Sequence, residues 1–76
     1  EHRRANTELL RLKAALAYAE RQRARAQRLF DLKAGSRQHL EAAESDVRNA
    51  QAALQAGEIE VERTRRHLTE FLQVPV

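Results

Sequence analysis

The segment Leu32-Lys33-Ala34-Gly35-Ser36 reads as a turn, and a heptad pattern runs away from it in both directions. After the turn, apolar or small residues recur at 3-4 spacing: Leu40, Ala43, Val47, Ala50, Leu54, Gly57, Val61, Thr64, Leu68 and Phe71. Before it, the same spacing picks out Ala5, Leu9, Leu12, Leu16, Ala19, Arg23, Ala26, Phe30 and Lys33. Two heptad helices joined by so short a break fold back on each other. The expected fold is therefore all-α, a two-helix antiparallel coiled-coil hairpin. Helix one is expected over about residues 3–33, the turn at 34–36 and helix two over about 37–73, with 1–76 a single hairpin domain.

The turn residues carry this reading. Gly35 is expected at the position after a helix C-terminus that needs φ > 0, with Lys33 complementing the dipole there. Ser36 is the expected N-cap of helix two, its hydroxyl accepting from a free backbone N–H. Pro75 disfavours helix at Val74 and sets the expected end near Gln73.

The seam also predicts a register. Phe30 is placed against Leu40, Leu16 against Leu54 and Leu9 against Val61, alternating with small layers of Ala26 with Ala43 and Ala19 with Ala50. Leu12 then meets Gly57. An interior helix glycine costs ~0.5–1 kcal/mol relative to Ala. Gly57 either makes room for Leu12 or is simply tolerated. Arg23 falls on the seam opposite Val47 and is expected to snorkel toward Glu44 or solvent.

Bulk properties restrict what such a rod can do. The chain of 76 residues carries a net charge of +3. Residues 1–34 hold nine Lys/Arg against four acids, and residues 35–76 hold five against seven, so the halves attract. Exposed pairs contribute only ~0.2–1 kcal/mol each. The arginine richness fits a solvated face, an acidic protein surface or a nucleic acid. One narrow seam below about 70–80 residues rarely supplies more than ~3–5 kcal/mol, so the isolated hairpin is expected to be marginal and prone to self-association. There is no cysteine, hence no disulfide or thiolate metal site. No apolar run approaches the ~20 residues of a membrane span. The pattern begins inside a helix without a Met, so we expect a piece of a longer protein whose signal or anchor belongs to the parent.

Candidate chemistry is sparse. His2 and His67 are expected near each other at the open end; a zinc site there needs at least one more ligand, which Glu1 or Glu70 could supply, and supporting contacts, and solvated surface histidines are the expected reading. His39 stands alone in the first turn of helix two. No nucleophile–base–acid set, phosphate loop or paired carboxylate is present. The expectation is no enzyme, no metal and no cofactor. The run Arg21, Arg23, Arg25, Arg28 suits a phosphate backbone but lacks interleaved aromatics. An arm like that of the seryl-tRNA synthetase class, gripping RNA, is the alternative reading.

The stretch from Arg25 through Leu29 and Ser36 to Glu44 resembles the hairpin tip of periplasmic adaptor proteins, also called membrane fusion proteins, of tripartite efflux pumps and type I secretion systems in Gram-negative bacteria. That family shows Arg, Leu four residues on and Ser seven further, and Arg25, Leu29 and Ser36 have this spacing. Ser36-Arg37-Gln38, Glu41 and the Ala-rich heptads through Arg65 are also similar to it. The resemblance implies a hairpin projecting from a lipoyl-like β domain, typically six adaptors packed into a funnel, and tips that meet an outer-membrane channel. It implies an inner-membrane transporter as second partner, reached through other parts of the parent, and a periplasmic location with the parent held at the inner membrane. Carried over, Arg25 bonds channel carbonyls or carboxylates, Leu29 fills a groove between channel helices and Ser36 bonds at the apex. The residues agree to this extent: Arg25, Leu29, Leu32 and Ser36 stand at 4-3-4 spacing beside the seam. Leu32 is an additional tip contact on this reading, or else it and Leu29 flank the core. The exit through Leu72-Gln73-Val74 is nearer to heavy-metal cation efflux members, whose second helix often ends Leu-x-x-Leu-Gly-Val, with Gln73 in place of the Gly.

Overall fold

The computed structural model describes the backbone of residues 2–72, and the side chains of residue 4 and of residues 6–69. Two helices make up this span, α1 (His2–Asp31) and α2 (Arg37–Leu72). At ~1.5 Å per residue their 30 and 36 residues run about 45 and 54 Å. They lie side by side in a rod of 68 × 16 × 12 Å. This is the antiparallel hairpin that the heptads on either side of Gly35 require. Gln73 and Pro75, on which the expected end of helix two rests, lie outside the described residues.

The register follows the sequence pattern. Ala26, Leu40 and Ala43 form a buried cluster with Phe30 packed against it. A Cβ added to Gly57 would stand 2.6 Å from Leu12 Cδ1 and 3.5 Å from Leu9 Cδ2. Gly57 therefore accommodates Leu12, and a real side chain there would displace it. The same register carries Leu16 and Leu54, both half-buried, along the seam between these two anchors.

Burial is uneven along the rod. Ala19, Ala26, Leu40, Ala43 and Val47 are the buried hydrophobics among the described residues, with Ala26 at 1% and Val47 at 2% exposure. All lie in the half nearest the turn. Leu9, Leu12, Leu54, Val61 and Thr64, further out, are only half-buried. The small layers near the turn let the helices close up, whereas Gly57 with Ala53 and Ala56 leaves an open groove of about 470 Å³ beside Leu9, Leu12 and Val61. A two-helix hairpin by shape alone would offer no concavity, and this groove departs from that. Arg23, which the heptad drew onto the seam, is exposed. Among the described residues no carboxylate, Glu44 included, ion-pairs with it; its head is in solvent.

Candidate functional site

The apex is built by two interlocking caps. Helix α1 ends at Asp31, two residues before the expected Lys33. The Lys33 N–H donates to the Phe30 carbonyl (2.9 Å) and the Ala34 N–H to the Leu29 carbonyl (2.7 Å). These crossed bonds make a Schellman cap, whose defining residue takes the left-handed conformation. That residue is Lys33, with φ of 60°, and not Gly35, which has no positive φ. Gly35 has a different role. A Cβ on it would lie 3.0 Å from Leu29 Cβ and 3.4 Å from the Leu29 carbonyl carbon. The glycine is there to let the returning chain lie against the last turn of α1. Ser36 then opens α2 as expected: its Oγ accepts from the His39 N–H at 3.0 Å, and its carbonyl accepts from the Leu40 N–H at 3.1 Å.

This construction places the sequence-predicted tip residues. Arg25 is exposed one and a half turns below the end of α1, and Ser36 is exposed at the apex with one lone pair used by the cap. Leu32 projects at 75% exposure. Leu29, by contrast, is half-buried under Gly35. The helical spacing accordingly stops at Asp31, and Leu32 and Ser36 are positioned by the caps rather than by helical periodicity. Arg37 was not singled out from sequence beyond its place in the tip motif. Its guanidinium carbon sits 5.4 Å from the Phe30 ring centroid, within cation–π range. The available signal was an Arg immediately after the N-cap, facing the last aromatic of α1.

The apex is basic. Between Arg25 and His39 stand Arg25, Arg28, Lys33 and Arg37 against one acid, Asp31, whose Oδ1 accepts from Gln27 Nε2 at 2.9 Å. Arg21, Arg25 and Arg28 share a face at i, i+4 and i+7, and Arg23 points away from it. Arg21 also lies 6.0 Å from the Tyr18 ring centroid. Among the described residues the ion pairs lie elsewhere, at Glu8–Arg11 and among Glu60, Glu62, Arg63, Arg65 and Arg66 on α2. At the first of these, Arg11 Nε donates to Glu8 Oε2 at 3.0 Å. Hydrogen bonding and the charge of Arg11 hold the Glu8 carboxyl below the ordinary range and raise Arg11 in turn. Among the described residues no group of three His, Cys, Asp or Glu is placed to hold a metal ion, and no helix is long and apolar enough to cross a membrane. His39 and His67 are both exposed; the His2 side chain lies outside the described set.

An exposed cationic and leucine-bearing apex on a long rod suits contact with another macromolecule. A family model described as RND MFP, alpha-helical hairpin domain, matches residues 1–69. No curated protein and no solved structure matches the chain. The matched span takes in all of α1, the apex and α2 as far as Thr69, which is the whole element whose register and caps were described above. The chain belongs to the membrane fusion protein family of RND-type tripartite pump adaptors, as its α-helical hairpin domain.

Proposed function

We propose that this hairpin is the reach of a periplasmic adaptor, and that its apex docks the helical tip of an outer-membrane channel. Arg25 supplies a forked donor to channel carbonyls or carboxylates, and Ser36 contributes its hydroxyl at the apex. Leu29 supports the apolar contact from beneath, and Leu32 enters the partner groove. The observation that carries this reading is Leu32. A leucine 75% exposed at the end of a rod, beside exposed Arg25 and Ser36, brings an apolar side chain and hydrogen-bonding groups together where a projecting hairpin first meets a partner. The remainder of the parent is proposed to hold the inner-membrane transporter and to bring several hairpins, six in the full-length protein, into one funnel. A place near the heavy-metal cation efflux adaptors is part of the same proposal, supported by the Leu72-Gln73-Val74 exit. The RNA-gripping alternative is the weaker reading: Arg21, Arg25 and Arg28 share a face, but no aromatic is interleaved among them for base stacking.

The test is an export assay in cells carrying full-length variants of the parent, with adaptor abundance checked by blot. Leu32→Ser and Arg25→Ala should each reduce export at normal abundance. Leu29→Ser is the weaker probe, because Leu29 also packs under Gly35. Wild-type export by both Leu32→Ser and Arg25→Ala would remove the apex from the docking reading.

A further inference from the structure

We infer that Arg37 is a further partner-binding residue of the apex and that the group it receives is a carboxylate on the channel. The inference rests on the docking reading and adds to it a residue and a partner chemistry. Three observations carry it.

First, Arg37 is held in position. Its guanidinium lies 5.4 Å from the Phe30 ring centroid. Phe30 is itself packed against the buried cluster of Ala26, Leu40 and Ala43. A guanidinium stacked on a ring anchored in the core has lost much of its rotamer freedom already, so less is lost when a partner binds. Among the described residues no hydrogen bond or ion pair of this chain takes up its N–H donors, so the fork that matches a carboxylate is available to a partner.

Second, no acid of this chain competes for it. Among the described residues, none of Arg25, Arg28, Lys33 or Arg37 forms an ion pair, although four such pairs occur elsewhere on the rod. The one acid of the apex, Asp31, is hydrogen-bonded by Gln27.

Third, four like charges share a few turns of chain around the apex. Uncompensated, they repel one another and favour a partner of opposite charge. A neutral carbonyl surface answers one donor at a time, whereas carboxylates answer both the charge and the fork.

The experiment uses the full-length adaptor in cells, with a photo-crosslinking amino acid at position 32 reporting apex contact. Captured channel is quantified, and the crosslinked peptide is identified by mass spectrometry. Arg37→Glu is expected to lower channel capture by about tenfold or more, as reversal of one partner in a charge-assisted bidentate contact does. Arg37→Lys, which keeps the charge and loses the fork and the stacking plane, should give a smaller drop. Folding loss does not confuse the result, because a Glu in the first turn of α2 is favourable to the helix and Arg37 is exposed. The captured peptide should contain Asp or Glu. Unchanged capture by Arg37→Glu, or a contacted peptide without an acid, overturns the role of Arg37 while leaving the docking reading standing. No channel captured from position 32 in the otherwise wild-type protein overturns both.

Discussion

Replacing Gly57 by Ala sets two known effects against each other, and the structure says where they meet. Alanine is the better helix former by about 0.8–1.0 kcal/mol. Its Cβ would stand 2.6 Å from Leu12 Cδ1, too close for any real contact. Leu12 Cδ1 is the far end of a flexible, half-buried side chain, so the clash is relieved by moving that side chain off its preferred rotamer, at about 0.5–1.5 kcal/mol. The second contact, at 3.5 Å from Leu9 Cδ2, is ordinary packing and adds nothing. Gly57→Ala should therefore leave stability between a gain of about 0.5 and a loss of about 0.7 kcal/mol, well short of the propensity gain. With Leu12 already replaced by Ala, the clash is gone and the same substitution should stabilise by nearly the full ~1 kcal/mol. The coupling between the two positions is then about 0.5–1.5 kcal/mol, in the range that touching residues show. Urea unfolding of the four proteins, followed by circular dichroism at low temperature where the hairpin is most populated, measures it. Equal effects of Gly57→Ala in both backgrounds would mean that Leu12 does not lie over Gly57, and the register would be wrong.

The apex yields further predictions. Lys33→Gly should raise stability by up to ~1 kcal/mol, because it relieves a left-handed residue; Gly35→Ala should lower it, because its Cβ meets Leu29 Cβ at 3.0 Å, and both shifts are read from urea midpoints. Ser36→Ala should cost about 1 kcal/mol by the same measurement, through loss of the bond to the His39 N–H. At the other end, the Glu8 carboxyl is held low by Arg11, so its stabilising contribution is present above the ordinary carboxylate range and is lost as pH falls through the depressed value. An NMR titration should find Glu8 low in the wild-type chain and back in the ordinary range in Arg11→Gln, with the effect on stability small because the pair is in solvent.

Most of the seam was legible because helix two keeps a strict 3-4 spacing, and an interior glycine needed a reason that Leu12 provided. The caps were less legible. A Gly two residues beyond the last heptad position invites assignment as the left-handed residue, yet the crossed bonds of Lys33 and Ala34 put that conformation on Lys33. Glycine was required instead for close approach, which depends on where the returning chain lies and not on local propensity. Arg23 went as its chemistry predicts: spacing assigns it to the seam, and its long cationic side chain reaches solvent from there at little cost. The same local reading made Leu29 and Leu32 equivalent. The early end of α1 separates them, tucking Leu29 under the turn and leaving Leu32 outside. The charge balance of the apex was visible in sequence, but the seating of Arg37 on Phe30 depends on the two helices meeting and was not.

The central claim, that the apex is the docking end, is tested most directly by scanning a photo-crosslinking residue along the full-length adaptor in cells. Positions 25, 32 and 36 at the apex are compared with positions 10 and 59, which carry exposed apolar residues, Leu10 and Ile59, well away from it. The account predicts capture of an outer-membrane channel protein from the apex positions and not from 10 or 59. Capture of the channel from 10 or 59 with none from the apex would contradict it.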